Sequence, residues 1–212
     1  MTMSRRKRPP VPVILALPAE PPTQAEIDAI LMTTDSIIGD AGRAGVALIL
    51  NGSRSQKALR HEWDKLPEYG ALRHLTAVAI GQRIDWCIHQ GWLRYEYTRD
   101  GIPLLFHTAT GWERVKSLWV VRLLNWFIVW QRANMPEQVW PNLEHINHEI
   151  KYLLLENLRD EPQPELTPIL CAWYPHEVRK VRTAINQTLQ SWGERPFPHP
   201  PKGTKDEQPT IP

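Results

Sequence analysis

Between Leu50 and Arg60 the chain reads LNGSRSQKALR, where Gly52, Ser53 and Ser55 stand beside Arg54, Lys57 and Arg60 with no acid among them. Hydroxyls, a glycine and cations at this spacing suit the oxygens of one phosphate. Exposed backbone N–H groups at a helix start would add donors. The same composition also serves as a solvated surface turn, so its neighbours decide. Arg73 and His74 follow, and Arg99 stands beside Tyr95 and Tyr97. Cations interleaved with aromatic rings fit a nucleic-acid surface, where phosphates set affinity and rings stack on bases. The expected contact set is Gly52, Ser53, Arg54, Ser55, Gln56, Lys57, Arg60, Arg73, Tyr97 and Arg99.

Other chemistry is poorly served. NGSRSQK lacks the Gly-Lys pair of a nucleotide-hydrolase loop, and GSRS lacks the glycines of a nucleophile elbow. His145, His148, Glu149 and Glu144 share a helical face but not the His-Glu-x-x-His order, and they read as a polar surface. No acid–base pair or metal constellation stands out, so the expectation is a protein that is not an enzyme and needs no cofactor. Cys87 and Cys171 are far apart and read as two packed, reduced thiols.

The chain has 212 residues, 42% hydrophobic and 23% charged, with a formal net charge of +2. That is a folded body, and net charge alone does not announce a polyanion binder. The start, MTMSRRKRPPVPVILALPAE, loosely imitates a secretory leader, but Pro10, Pro12 and Pro18 break its apolar run. It reads instead as a disordered basic, proline-rich arm over residues 1–22, either touching a polyanion or inert. A cytoplasmic, nucleoid-associated protein is expected.

Thr23-x-x-Glu26 is a capping box that opens a helix running toward Gly42, and a short helix is expected from Gly45 to Leu50. The Gly-Ser turn then opens a basic helix near Ser55, and DKLPEYGALRHL reads as a loop. Thr76 caps a helix with Ile80, Ile84, Cys87 and Ile88 on one face. Two apolar runs around Asp100-Gly101 predict a β-hairpin. Helices followed by a hairpin are the order of a winged helix.

After Gly111 a helix is expected to Ala133, with Trp112, Val115, Trp119, Leu123, Trp126 and Trp130 as its stripe. It is too short for a bilayer and carries Arg122 and Asn125, so no membrane role is expected. A buried helix is the first reading. A face for a second copy, making a homodimer through the Trp112–Trp130 helix, or for another partner is the alternative. Two amphipathic helices follow, Asn142 to Arg159 and Pro175 to Trp192, and residues 194–212 read as a disordered proline-rich tail. The fold class is mainly α with a small β-hairpin wing: a winged helix-turn-helix, a long Trp-rich helix and two further amphipathic helices.

The segments LILNGSRSQKAL, WDKLPEYG, IHQGWL and FHTATGWERV resemble the RQC domain, the winged helix on the C-terminal side of RecQ-family DNA helicases. The resemblance covers roughly Ala29 to Leu118. It implies that Ser53, Arg54 and Gln56 hold phosphate with Lys57 near, and that Tyr97 and Ile102 stand toward a wing tip able to wedge a duplex end. Asn51 departs from the arginine of many relatives, Ala71-Leu72 from a repeated glycine, and the hairpin YTRDGI is short for strand separation. The chain looks like one of the stand-alone minor RQC families of bacteria, described as DNA-binding proteins without the motor. The expected layout is a winged-helix domain over 23–118 and a helical extension over 111–193 packing on it.

The expectation is therefore a non-catalytic DNA-binding protein that recognises backbone and structure, such as a duplex end, fork or bent duplex, more than sequence. Two alternatives stay open. One is a sequence-specific regulator in which Arg54 reads guanine. The other is an adaptor for a separately encoded helicase or nuclease, with Trp119, Trp126 and Trp130 as its surface if exposed.

Overall fold

The computed structural model describes residues 13–198. The expected basic residues Arg5 to Arg8 and the tail beyond Pro198 lie outside the described residues. Two compact units divide between Leu118 and Trp119.

In the first unit, α1 (Gln24–Ser36), α2 (Arg43–Asn51), α3 (Gln56–Arg60) and α4 (Ala77–His89) precede an antiparallel hairpin, β1 (Leu93–Tyr97) and β2 (Pro103–His107). Both halves of the Thr23–Glu26 capping box form, and α1 ends at Ser36, well short of Gly42. Ser55 and Thr76 cap α3 and α4 through hydrogen bonds accepted from Ala58 and Ala79 N–H. The core joins Ile27, Ile30 and Leu31 of α1, Val46, Ile49 and Leu50 of α2, and Ile80, Ile84 and Cys87 of α4 to Leu93 and Leu105 of the hairpin. Part of the arm expected to be disordered through residue 22 is placed. Ala16 N–H donates to Asp85 Oδ2 at 2.9 Å and Pro22 is buried, which anchors that segment.

The hairpin turn is a three-residue loop, not a two-residue one. Thr98 N–H donates to Ile102 O (3.0 Å), Gly101 N–H to Thr98 O (3.0 Å), and Gly101 takes φ 77°. A turn followed by a left-handed glycine is the usual way to close such a loop.

The helix α5 (Ala109–Ala133) starts two residues before Gly111 because Thr108 Oγ1 accepts the Gly111 N–H at 3.0 Å. Its buried stripe is Val115, Val120, Leu123 and Phe127, whereas Trp112, Trp119, Trp126 and Trp130 are half-buried at its flanks. Val121 and Val129 stay exposed. Val115 and Leu123 of the expected stripe are therefore buried, while its four tryptophans are only half-buried. Among the described residues no helix is long and apolar enough to cross a membrane.

The second unit continues with α6 (Val139–Leu143), α7 (His148–Asp160), α8 (Thr167–Trp173) and α9 (Arg179–Ser191). The helix expected over Asn142 to Arg159 is broken, because Asn147 caps α7 by accepting the Glu149 N–H. The helix α8 was not expected, and Pro175 falls in a 3-10 turn ahead of α9. Leu154, Leu155 and Leu158 of α7 meet Val181, Ile185 and Leu189 of α9 in the core. Thr188 Oγ1 ties the two helices by donating to Leu155 O at 3.1 Å.

Buried beside them, Lys151 Nζ lies 2.5 Å from Glu177 Oε1, which also accepts the Trp173 indole N–H at 2.8 Å. Each buried ion here has a partner, as desolvation requires.

Candidate nucleic-acid interface

The expected Gly-Ser helix start is two features joined by a link. Gly52 closes α2 in the left-handed conformation, with Gly52 N–H bonded to Ile49 O and Ser53 N–H to Leu48 O. The start of α3 belongs to Ser55, and α3 has only five residues. Arg54 therefore sits in the link rather than on a helix entering a groove.

A returning loop fixes this link. Gly70 N–H donates to Ile49 O and Leu72 N–H to Leu50 O, both at 2.8 Å, so residues 70–72 lie along the end of α2. Asn51 holds the same loop: its Nδ2 donates to Leu75 O at 2.8 Å. Arg73 folds back to donate from Nε to Gly70 O at 3.1 Å. Gly52, Ser53, Arg54 and Arg73 thereby share one neighbourhood.

The short α3 is held by Trp63, which is 4% exposed. Lys57 Nζ lies 5.5 Å from the Trp63 ring centre, and His61 stacks on it at 5.0 Å. The contact orients Lys57 without an acidic partner. Reading the sequence alone missed Asn51 and Trp63 as supports, although Trp63 opens the quoted WDKLPEYG motif.

Donors remain for a ligand. Ser53 Oγ accepts the Ser55 N–H at 3.3 Å and keeps its own hydrogen to give. The backbone N–H groups of Arg54, Gln56 and Lys57 meet no acceptor among the described residues. Arg54, Gln56, Lys57, Arg60 and Arg73 are exposed.

The charge pattern separates these residues from the rest of the unit. Basic and acidic side chains balance within residues 23–117, and the four cations from Arg5 to Arg8 exceed the chain's whole formal charge of +2. Inside the domain, Arg43 pairs with Asp85, Arg83 with Glu26, Arg94 with Glu96 and Arg114 with Asp28. Lys65 likewise pairs with Glu62, and Lys116 with Glu113. Arg54, Lys57, Arg60, Arg73 and Arg99 carry no ion pair among the described residues.

These cations do not form one patch. The wing is attached at the start of α2, where Leu105 N–H reaches Ala41 O at 3.4 Å and a carbon on Gly42 would meet Pro103 O. The link lies at the other end of this nine-residue helix, about 13 Å away at 1.5 Å per residue. Tyr97 and Ile102 are exposed near the wing tip, and Arg99 is exposed in its turn. Tyr95 is half-buried instead. Burial pushes its hydroxyl up to about 12, and it lies in the fields of Arg43 and Asp85, so it is no outward stacking platform.

A family model described as the RQC domain matches residues 23–117. No curated protein and no solved structure matched the chain. The matched span covers the first unit from its capping box through the hairpin and into α5, a little under half of the chain. Residues 23–117 thus match the RQC domain and have the helices-then-hairpin order of a winged helix.

Proposed function

We propose that this chain binds DNA without catalysing a reaction, gripping backbone phosphates at the α2–α3 link and meeting a duplex end or junction with the wing. The observation that carries the reading is the charge pattern. In an electrically balanced domain, the cations left without acids are Arg54, Lys57, Arg60 and Arg73 around the link and Arg99 in the wing turn. Unpaired cations, open backbone N–H groups and a serine hydroxyl on one short link make a phosphate subsite. The family match supports DNA as the polyanion.

Structure selectivity follows from the same contacts. Phosphate contacts position a protein but carry no base information, and Arg54 in a link is not presented along a groove as a reading helix would present it. The wing is attached at the opposite end of α2 from the link, so a DNA touched at both is recognised by its shape.

Fluorescence anisotropy on labelled blunt duplex, fork and single strand tests the reading. Arg54→Ala is expected to weaken binding to every DNA, and Tyr97→Ala to weaken mainly the fork. A folded protein that binds none of them at low salt overturns it.

A further inference from the structure

The second unit holds a short extended segment in a way that does not depend on most of its side chains. Beyond Gly193, at φ 85°, the chain turns back along α9. Asn186, 5% exposed, faces Phe197 and pairs with both of its backbone groups. Asn186 Nδ2 donates to Phe197 O at 2.9 Å, and Phe197 N–H donates to Asn186 Oδ1 at 2.9 Å. The Phe197 ring stacks on Tyr174 with centroids 4.6 Å apart and planes at 25°. The Tyr174 hydroxyl donates to Pro198 O at 3.5 Å, and the Arg182 guanidinium lies 5.9 Å from the other partner of that stack, the Tyr174 ring.

Around this one residue the segment is open: Arg195, Pro196 and Pro198 are exposed. The side-chain amide of Asn186 mimics a neighbouring strand at a single position, and Tyr174 selects a flat ring there. Proline on each side leaves no unpaired N–H and restricts the free chain, which lowers the ordering cost of binding. These are the demands of a peptide slot, met by groups that any chain with the same local sequence would satisfy.

We propose that Asn186 and Tyr174 form a recognition site for an extended, proline-flanked phenylalanine segment of a partner protein, and that Arg195–Pro198 of this chain occupies it in cis. The resident segment defines the occupant's chemistry: an aromatic ring for Tyr174, a free backbone N–H and C=O at that residue, and proline before and after it. Because the resident is tethered a few residues away, it competes at an effective concentration of the order of millimolar. A partner in trans gains access when the resident's grip is weakened.

The test uses the full chain and a fluorescein-labelled peptide with the sequence Gly-Glu-Arg-Pro-Phe-Pro. Anisotropy titrations compare wild type with Phe197→Ala, which removes the resident ring. Phe197→Ala should bind the peptide at least about tenfold more tightly than wild type, because tethered competition is lost. A peptide with alanine for phenylalanine, and one with an N-methyl group on the phenylalanine nitrogen, should each lose that binding. Both changes lie on the peptide and leave the protein's folding untouched. Equal affinity for the two proteins, no binding to a folded Phe197→Ala chain, or undiminished binding of the N-methyl peptide would overturn the assignment. A wild-type dimer dissociated by the peptide would also overturn it, by making a second copy's tail the occupant.

Discussion

Gly52 and Gly70 approach so closely that a side-chain carbon on Gly52 would lie 3.1 Å from the Gly70 Cα, and both take positive φ, 73° and 72°. The pair seals the end of α2 against the loop that returns from Trp63. Ser53 and Arg54 leave from one side of the contact, and Arg73 folds over the other. The phosphate subsite proposed here is therefore built on backbone packing, with the charged side chains as its outer layer.

Gly52→Ala should destabilise the first unit more than Gly91→Ala. Both positions have left-handed backbone, which costs an ordinary residue about 1–2 kcal/mol. A carbon on Gly91 meets nothing within 4 Å, whereas one on Gly52 presses on backbone that cannot rotate away. Urea midpoints of the two variants measure the difference, expected at roughly 1 kcal/mol or more. Equal midpoints would show that the Gly52–Gly70 contact relaxes freely.

Removing unpaired cations should change the salt dependence of DNA binding, and removing paired ones should not. Arg54→Ala, Arg60→Ala and Arg73→Ala are each expected to lower the slope of log affinity against log salt by about one. Arg94→Ala is the control, since its guanidinium already sits 2.6 Å from Glu96 Oε1. An Arg94→Ala loss as large as that of Arg54→Ala would mean that DNA reads general surface charge.

The parts of the fold written in local chemistry were legible in the sequence. Thr23 with Glu26, Thr76, and Asp100-Gly101 each act through neighbours within a few residues, and each marks the element it predicts. The helix α8 carries Pro168 in its first turn, ends before Pro175 and is too short for its periodicity to declare it. Asn147 falls inside the helix expected over Asn142 to Arg159 yet caps α7, because an asparagine suits both a cap and an exposed helical position. For the site, residue types were legible but grouping was not. Whether the wing and the link share a patch depends on which end of α2 each one meets, and that is set by the Ala41–Leu105 and Gly52–Gly70 contacts between distant residues. The helical period of the α5 stripe was legible, since Val115 and Leu123 are buried, but Val120 and Phe127 widen the buried face and the larger tryptophans are only half-covered.

Cys87 should report on global opening of the first unit. It is fully buried in α4, and burial pushes its thiol up to about 12, so little thiolate forms in the native state. With an excess of a disulfide reagent at mildly alkaline pH, Cys87 in the native protein should react only as fast as the unit unfolds. Cys171, half-buried, should react sooner. Prompt modification of both thiols without denaturant would show that α4 opens locally.

The capping box of α1 should give the first unit an acid-sensitive component of stability. Burial alone would push the Glu26 carboxyl up, but the Thr23 N–H at 2.7 Å and Arg83 Nε at 2.8 Å outweigh it and hold the group below its ordinary 4.5. A carboxylate with a lowered folded pKa contributes fully above 4.5 and loses that contribution as pH falls through the folded value. Glu26→Gln keeps the cap's shape and removes the charge, so it should cost about 1–2 kcal/mol near neutrality. As pH drops below 4.5 the wild type loses its own charge there, and the gap between the two should close. Denaturant midpoints for both proteins between pH ~3 and ~7 measure that gap. A gap that stays constant over the range would mean that the amide does everything the carboxylate does at this helix start.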